Sequence, residues 1–266
     1  MSDLLRKKEK LENILRGLNS VAVAFSYGVD STFLLKTAHD LLGSRAIAIT
    51  ATFPSFSCEE SGKAERFCKK EGIEHIVTDF DQLSLPGFAK NPKDRCYICK
   101  RALFSKIIEA AGDRGNFRVI EGSNADDTGD YRPGMRAISE LSVKSPLLEA
   151  GLTKAEIRLL SKEMGLETAD KPSLACLATR FPYGERIDRE RLTMVDEAER
   201  ILFTLGFSQV RVRVHGKLAR VEVKPDEFSK AFSLAARIDG ELRRIGFEFV
   251  SLDLGGYITG SMNRTL

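Results

Sequence analysis

The sequence predicts an α/β protein in which a parallel sheet is followed by a smaller α+β region. Over the first two-thirds of the chain, short apolar runs alternate with segments in which apolar residues recur at helical spacing. Beyond residue 184 the order changes to a helix, two adjacent strands, a second helix and a last strand. Alternation of strands with helices of about 10–15 residues is typical of βαβ units, which build parallel sheets with right-handed crossovers.

The first region contains four predicted strands and four main helices. The strands cover residues 21–25, 46–51, 76–77 and 118–121, and the helices cover residues 31–42, 59–71, 97–111 and 153–164. Thr153 suits the start of the last helix, because its hydroxyl can accept a hydrogen bond from an unpaired amide there. Ligands of such sheets bind at the carboxyl ends of the strands, so we expect a site at that edge.

The second region is predicted to be a small α+β domain. Its elements are a helix at 189–205, strands at 209–215 and 218–224, a helix at 226–245 and a strand at 248–254. The short connection at residues 215–217 predicts a hairpin between the two adjacent strands. Residues 167–187 show no clear periodicity. We therefore divide the chain into a domain of residues 1–184 and a domain of residues 185–266.

The composition is that of an ordinary soluble protein. Hydrophobic residues make up 42% and charged residues 30% of the 266 residues. No apolar run approaches the roughly 20 residues that span a bilayer, and the first residues show a charged helical pattern without a secretory signal. The net charge is only +3, with Lys and Arg interleaved among Asp and Glu. We expect a cytoplasmic protein that binds neither membrane nor nucleic acid.

A polar loop follows the first strand, and its residue types suit phosphate binding. The candidate ATP-binding residues in it are Ala24, Ser26, Gly28, Asp30, Ser31 and Thr32. Glycine lets the backbone approach an anion, while hydroxyls and the exposed amides of a helix N-terminus donate hydrogen bonds to it. Asp30 can hold a Mg²⁺ ion that bridges phosphate oxygens. The Gly-Lys-Ser/Thr ending of a Walker loop is absent. A polar turn with a helix cap is the alternative interpretation.

The segment of residues 26–31 resembles the Ser-Gly-Gly-x-Asp-Ser signature of the PP-loop family. Members cleave ATP between the α and β phosphates, so the resemblance implies ATP and Mg²⁺ as cofactors. It also implies a Rossmann-like parallel sheet of the adenine nucleotide alpha hydrolase type. The chain departs from the signature at Tyr27, where the family has its first glycine. A side chain there needs room beside the phosphates or a different backbone dihedral angle.

Further segments resemble the LarE family of sulfur transferases, which act in making the nickel-pincer cofactor. In chain order they are residues 122–127, 129–134, 145–148, 180–184, 210–213 with 215, and 252–256. The most specific are Tyr-Arg-Pro-Gly at 131–134 and Arg-Phe-Pro-Tyr-Gly at 180–184. The resemblance implies that ATP adenylylates a carboxylate of a pyridinium-3,5-biscarboxylate mononucleotide, and that sulfur from a donor then displaces AMP. It also places Gly122 among the ATP-binding residues.

Two arginines of the second region are predicted to bind the phosphate of that substrate. Arg211 and Arg213 alternate along a predicted strand, so both project from one face, with His215 beside them. Two guanidinium groups on one face can hold a phosphate through paired hydrogen bonds, and the matching pair in the family does so. The alternative is an exposed strand face that binds no ligand.

The five cysteines are an odd number, which argues against a disulfide scaffold and indicates metal or sulfur chemistry. Cys96 and Cys99 form a Cys-x-x-Cys pair at the start of a predicted helix, where backbone amides stabilise thiolates. Some members of the family use a sacrificial cysteine five residues before the Arg-Phe-Pro-Tyr-Gly segment, whereas Cys176 lies four residues before Arg180. We therefore predict that Cys96, Cys99 and Cys176 are catalytic ligands of a 4Fe-4S cluster, an arrangement that resembles the cluster-dependent sulfur transferases.

Other interpretations of these cysteines stay open: a persulfide or redox pair, a structural zinc site, or plain core residues. Zinc would need a fourth ligand, and His39, His75 and His215 lie far from the cysteines in sequence. Cys58 and Cys68 are expected to be buried small residues.

Two other functions compete with sulfur transfer to a mononucleotide. A tRNA-thiolating PP-loop enzyme would use the same adenylate chemistry but would need a basic surface that follows RNA. A nucleotide-binding module without turnover is favoured by the departure at Tyr27. We expect a homo-oligomer, because relatives with this C-terminal pattern form hexamers.

Overall fold

The computed structural model describes residues 3–53, 58–129, 133–172 and 175–258. The motif residues 130–132 and the side chain of Cys58 lie outside the described part. Contacts within the chain define two compact units, and each is described by itself. The first comprises the described residues of 3–53, 58–81 and 96–172, and the second comprises 82–95 and 175–258. The division at residue 184 stays a prediction, because compactness alone does not define functional domains.

The first unit is built on a parallel sheet, as predicted. Its strands are Val21–Ala24 (β1), Ala46–Thr52 (β2), His75–Asp79 (β3) and Arg118–Ile120 (β4). They lie in the order β3-β2-β1-β4, and every neighbouring pair is parallel. The helices are Asp3–Leu18 (α1), Val29–Leu42 (α2), Cys58–Glu71 (α3), Arg95–Gly112 (α4), Pro133–Glu140 (α5), Pro146–Ala150 (α6) and Lys154–Glu163 (α7).

Alternate residues of β1 pack on opposite faces of this sheet. Val21 and Val23 join a core that includes Leu35 of α2, whereas Ala22 joins a second core with Phe104 of α4. All of these residues are buried. A central parallel strand covered by helices on both faces needs apolar residues at every position, which explains the unbroken apolar run of β1.

Helix α7 begins as its sequence predicts. The hydroxyl of Thr153 accepts a hydrogen bond from the amide of Glu156, and the carboxylate of Glu156 accepts one from the amide of Thr153. This capping box satisfies two amides that would otherwise lack partners. The short helices α5 and α6 were not predicted. Pro146 stands in the first turn of α6, and Gly151 follows it with a φ of 77°.

The second unit contains a three-stranded sheet with a predicted hairpin. Strand Val210–His215 (β5) pairs antiparallel with Leu218–Val223 (β6), which pairs parallel with Phe249–Leu252 (β7). Helix Arg189–Thr204 (α8) precedes the hairpin. Gly216 has a φ of 58° in the hairpin turn, a left-handed conformation that glycine adopts at little cost.

The single helix predicted over 226–245 is wrong. The segment forms two helices, Phe228–Ser233 (α9) and Ala235–Arg244 (α10), which meet at Leu234 with φ −103° and ψ 9°. The buried residues Ala231, Ile238 and Leu242 have a spacing that fits one continuous helix. The apolar pattern therefore gives no sign of the break.

Residues 82–95 belong to the second unit although they precede α4 in the chain. The amide of Gly184 donates to the carbonyl of Asn91 (2.8 Å), and the amide of Ile187 donates to the carbonyl of Ala89 (2.9 Å). The side-chain amide of Asn91 donates to the carbonyl of Phe181. None of the described helices is both long and apolar enough to cross a membrane.

Candidate functional site

The predicted phosphate loop connects β1 to α2 and orders two serine hydroxyls. The Oγ atoms of Ser26 and Ser31 lie 3.1 Å apart. The Oγ of Ser31 also donates to the carbonyl of Gly28 (3.2 Å) and accepts from the amide of Ser26 (3.3 Å). Ser26 is exposed, whereas Ser31 is buried in the first turn of α2. The loop thus holds hydroxyls beside the amides of a helix N-terminus, which suits a phosphate group.

Tyr27 adopts the left-handed conformation that the missing glycine of the signature would adopt easily. Its φ is 54°, whereas Gly28 has an ordinary φ of −82°. The left-handed turn of the loop therefore lies at Tyr27 and not at Gly28. The ring of Tyr27 is 7% exposed and packs against Phe25 and Phe67 at centroid distances of 6.1 and 5.9 Å. The sequence left two possibilities for Tyr27, room beside the phosphates or a different backbone dihedral angle. The structure shows the second.

Lys171 stabilises the backbone of this turn. Its Nζ donates to the carbonyl of Tyr27 (2.6 Å) and lies 4.5 Å from the centroid of the Tyr27 ring. Arg158 fixes Lys171 in turn, since its Nη2 donates to the carbonyl of that residue (2.7 Å). Contacts between distant parts of the first unit therefore hold the ammonium group of Lys171 against the strained turn at Tyr27.

Asp30 lies in the first turn of α2 and contacts Lys154. The Nζ of Lys154 forms a salt bridge with Oδ2 of Asp30, and the side-chain amide of Asn124 lies 3.4 Å from Oδ1. The side chain of Asp30 is 19% exposed. An ion at this carboxylate is therefore reachable from solvent.

Gly122 allows the segment after β4 to approach the start of α2. A Cβ atom at residue 122 would lie 3.1 Å from the amide nitrogen of Ser31 and 3.3 Å from Cβ of Asp30. Any larger residue would push these backbones apart. The structure therefore brings together Gly122 and the predicted loop residues Ser26, Asp30 and Ser31.

Two other predicted ATP-binding residues are less accessible. Thr32 is fully buried, and its hydroxyl has no hydrogen-bond partner among the described residues. Its amide donates to the carbonyl of Gly28 (2.9 Å), so its backbone shapes the loop. Ala24 is half-buried at the end of β1. Direct contact of either residue with ATP stays a prediction.

The segment after β4 is ordered by a buried carboxylate. Glu121 accepts hydrogen bonds from the hydroxyl of Ser123 (2.8 Å) and from that of Ser145. Next along the chain, the side-chain oxygen of Asn124 accepts from the amide of Asp126 (3.0 Å). These bonds keep Asn124 in place beside the phosphate loop.

Arg211 and Arg213 lie on β5 in the second unit, and both are buried, with exposures of 3% and 4%. The exposed strand face considered as their alternative is therefore not what the structure shows. Arg213 forms a paired salt bridge with Glu222 through Nε (3.0 Å) and Nη2 (2.9 Å), and its Nη1 donates to the carbonyl of Thr179 (2.9 Å). Arg211 lies over the ring of Tyr257 at 5.2 Å. Burial, followed by repulsion from Arg180, lowers the pKa of Arg211 to about 10.

The exposed Cys176 stands on a backbone segment that Arg180 orders. Nη1 of Arg180 donates to the carbonyls of Ala175 (3.1 Å) and Cys176 (3.3 Å), while Nε and Nη2 pair with Glu199. Burial alone would lower the pKa of Arg180, but the charge and hydrogen bonds of Glu199, with a smaller contribution from Cys176, hold it above its ordinary value.

Cys96 and Cys99 are half-buried in the first turn of α4. They belong to the first unit, whereas Cys176 belongs to the second. Within the described part of the chain, no group of three or more His, Cys, Asp or Glu side chains is arranged to hold a metal ion. Cys68 is buried, as expected, and burial raises its pKa to about 12.

Sequence reasoning missed the cations and carboxylates that organise these residues. They are Lys154 and Lys171 in the first unit, and Glu199 and Glu222 in the second. Lys154 and Asp30 are 124 residues apart in the chain, and no local pattern connects them. One sequence feature did indicate the ion pairs of the second unit. Glu222 and Arg220 alternate on β6, where they lie opposite Arg211 and Arg213 of β5.

No protein-family model matches the chain. It is 41% identical to an uncharacterized protein of Synechocystis sp., over 98% of each chain. It is 37% identical to pyridinium-3,5-bisthiocarboxylic acid mononucleotide synthase of Lactiplantibacillus plantarum, over 100% of this chain and 97% of the relative. A weaker similarity, at 26% identity, covers 58% of this chain and 52% of a tRNA-specific 2-thiouridylase of Rickettsia peacockii. The chain therefore belongs to the family of pyridinium-3,5-bisthiocarboxylic acid mononucleotide synthases, the LarE family within the PP-loop proteins.

Proposed function

We propose that this protein is an ATP-dependent sulfur transferase in nickel-pincer cofactor biosynthesis. It adenylylates a carboxylate of a pyridinium biscarboxylate mononucleotide and replaces AMP with sulfur. The observation that carries the proposal is the ordered phosphate loop beside Asp30, in a chain that is similar over its whole length to a synthase of that name.

The first half of the reaction uses ATP to activate a poor electrophile. A carboxylate oxygen of the substrate attacks the α-phosphorus of ATP, and pyrophosphate leaves. The hydroxyls of Ser26 and Ser31 and the first amides of α2 bind the phosphates, because they lie together at the helix N-terminus. The carboxylate of Asp30 offers the oxygen ligands that Mg²⁺ prefers, and the side-chain amide of Asn124 donates to its Oδ1 (3.4 Å). Mg²⁺ bound there would neutralise phosphate charge.

The second half replaces AMP with sulfur. A hydrosulfide attacks the carbonyl carbon of the adenylate, the bond between that carbon and the phosphate oxygen breaks, and AMP leaves with the bonding electrons. Sulfur suits this step because it is both charged and polarisable. The product is a thiocarboxylate, which agrees with the name of the relative from Lactiplantibacillus plantarum.

Arg211 and Arg213 bind the phosphate of the mononucleotide. Charged groups of the second unit surround the two arginines: Arg180 repels Arg211, Glu199 attracts it, and Glu222 pairs with Arg213. A buried guanidinium group is stabilised by an anion beside it, as the substrate phosphate would be. The pKa of Arg211, although lowered to about 10, keeps the group protonated at neutral pH.

Cys96, Cys99 and Cys176 would hold a 4Fe-4S cluster, which would supply the sulfur for the adenylate. Three thiolates form a suitable donor set, and two of them lie one turn apart on α4. A cluster with three protein ligands would leave room for sulfide from a separate donor. Arg180 keeps the Cys176 segment ordered. A persulfide on the same cysteines is the alternative source.

The proposal is tested by incubating the protein with ATP, Mg²⁺, sulfide and the biscarboxylate mononucleotide. We expect pyrophosphate release that depends on the mononucleotide, and a thiocarboxylate product in mass spectrometry. Pyrophosphate release that is absent, or that tRNA stimulates instead of the mononucleotide, would refute it. The proposal includes a cytoplasmic homo-oligomer, which light scattering tests, and a cluster, for which anaerobically purified protein should absorb broadly in the visible range.

A further inference from the structure

We propose that Lys154 is a phosphate-binding cation of the ATP site, held by Asp30 until Mg²⁺ takes over that carboxylate. The inference rests on the proposed function and adds a residue to the same site. Its observation is the salt bridge between Nζ of Lys154 and Oδ2 of Asp30, the carboxylate expected to hold Mg²⁺.

Lys154 is fixed at its backbone and mobile at its charged end. It is the first residue of α7, and its amide donates to Oδ2 of Asp126 (2.8 Å). The capping box of Thr153 and Glu156 secures the same turn. A flexible four-carbon stem then carries the ammonium group, and 30% of the side chain is exposed. The ammonium can therefore move from Asp30 to a ligand beside it without a change in the fold.

The charge around the phosphate loop calls for such a cation. Asp30 lies in the loop helix, and Asp126 and Asp127 lie on the neighbouring segment, where they accept hydrogen bonds from the amides of Lys154 and Asn124. ATP is a polyanion, so these carboxylates repel it unless cations intervene. Lys171 is directed to the carbonyl of Tyr27 in this unit. The ammonium of Lys154 already contacts a carboxylate at the loop, that of Asp30.

A Mg²⁺ ion bound at Asp30 would compete with the ammonium of Lys154 for Oδ2, and the two cations would repel each other. Mg²⁺ that arrives with ATP would therefore weaken the contact between Lys154 and Asp30. The phosphate oxygens then become its acceptors. The salt bridge thus keeps Asp30 neutralised in the absence of nucleotide and releases a cation when nucleotide binds.

Calorimetric titration of ATP into Lys154→Met tests the proposal, with Lys162→Met as the matched control. Lys162 is on the same helix and pairs at the surface with Asp170. We expect ATP to bind Lys154→Met roughly tenfold to a hundredfold more weakly in Mg²⁺, because a charged hydrogen bond is lost, and the loss should be smaller in EDTA, where the ammonium stays on Asp30. Lys154→Arg, which keeps the charge, and Lys162→Met should bind ATP much as the wild type does.

The competition for Asp30 has a separate measurement. At fixed ATP, the Mg²⁺ concentration that gives half-maximal binding should fall in Lys154→Met, because no ammonium competes for the carboxylate. An unchanged or raised Mg²⁺ requirement would overturn the exchange.

Wild-type ATP affinity in folded Lys154→Met would overturn the inference about Lys154 and leave the proposed function standing, since the wild type still binds ATP. If the methionine variant fails to fold, Lys154→Gln replaces it, and wild-type affinity in that variant has the same meaning. Lack of ATP binding by the wild type would overturn the proposed function itself.

Discussion

Substitution of Tyr27 separates two opposing contributions to the stability of the phosphate loop. The ring is 7% exposed and packs against Phe25 and Phe67. Truncation of a buried aromatic side chain costs roughly 3–5 kcal/mol, which is the loss expected for Tyr27→Ala. Glycine also removes the strain of the left-handed turn, roughly 1–2 kcal/mol, but makes the unfolded chain more flexible by about 0.4–1 kcal/mol. Tyr27→Gly should therefore lose about 2–4 kcal/mol and remain more stable than Tyr27→Ala.

Urea unfolding of the wild type and of three variants measures these differences. Tyr27→Phe keeps the ring and loses the long hydrogen bond to Glu167 (3.4 Å), so it should lie within about 0.5 kcal/mol of the wild type. Pyrophosphate release shows whether the folded glycine variant keeps its loop. We expect that it does, because glycine readily adopts the left-handed conformation of residue 27. A glycine variant more stable than the wild type would refute the conclusion that burial outweighs strain. An alanine variant clearly more stable than the glycine variant would refute strain of that size, because relief of the strain would then not outweigh the flexibility of glycine.

Three further predictions address the remaining parts of the proposed site. Asp30→Ala should abolish ATP cleavage without loss of the fold, since no carboxylate is left for Mg²⁺; near-normal pyrophosphate release by the folded variant would contradict this. Arg211→Ala should weaken mononucleotide binding roughly tenfold to a hundredfold with little change in ATP affinity, measured by calorimetry with each ligand; the reverse result would place Arg211 on the other ligand. Alanine at each predicted cluster cysteine should remove iron and sulfur transfer together while adenylation persists, and the triple variant should be hardly worse than any single one. Iron-free active protein with dehydroalanine at Cys176 would contradict the cluster.

The parallel sheet could be predicted because the residues of its central strands themselves show that both faces of the strands are buried. β1 and β2 are apolar at consecutive positions, which happens where both faces are covered. The placement of residues 82–95 in the second unit could not be predicted in the same way. It rests on single hydrogen bonds such as that from Gly184 to Asn91. Such bonds between backbone atoms produce no periodic pattern of apolar residues in either segment.

The candidate ATP site shows the same division between local and distant information. The loop at residues 26–31 is contiguous, so residue types and spacing were enough to indicate phosphate chemistry. The loop sequence could not decide whether Tyr27 finds room beside the phosphates or adopts a different backbone dihedral angle. The ring is buried by contacts with α3, and the loop sequence does not contain α3. Lys154 was missed for a similar reason, since its role depends on a carboxylate that reaches it only after folding.

The Arg-Phe-Pro-Tyr-Gly segment, which was among the most specific signs of the family, acts largely through structure. Arg180 is almost fully buried and connects Glu199 to the carbonyl of Cys176. The ring of Tyr183 lies 4.6 Å from the guanidinium carbon of Arg95, and Gly184 bonds to Asn91. A buried guanidinium with several acceptors in fixed positions cannot be replaced by lysine, whose ammonium lacks the planar fork. The segment is therefore informative because it fixes in place the exposed Cys176, the residue that we propose takes part in sulfur transfer, while the sequence signature lies in the residues that hold it.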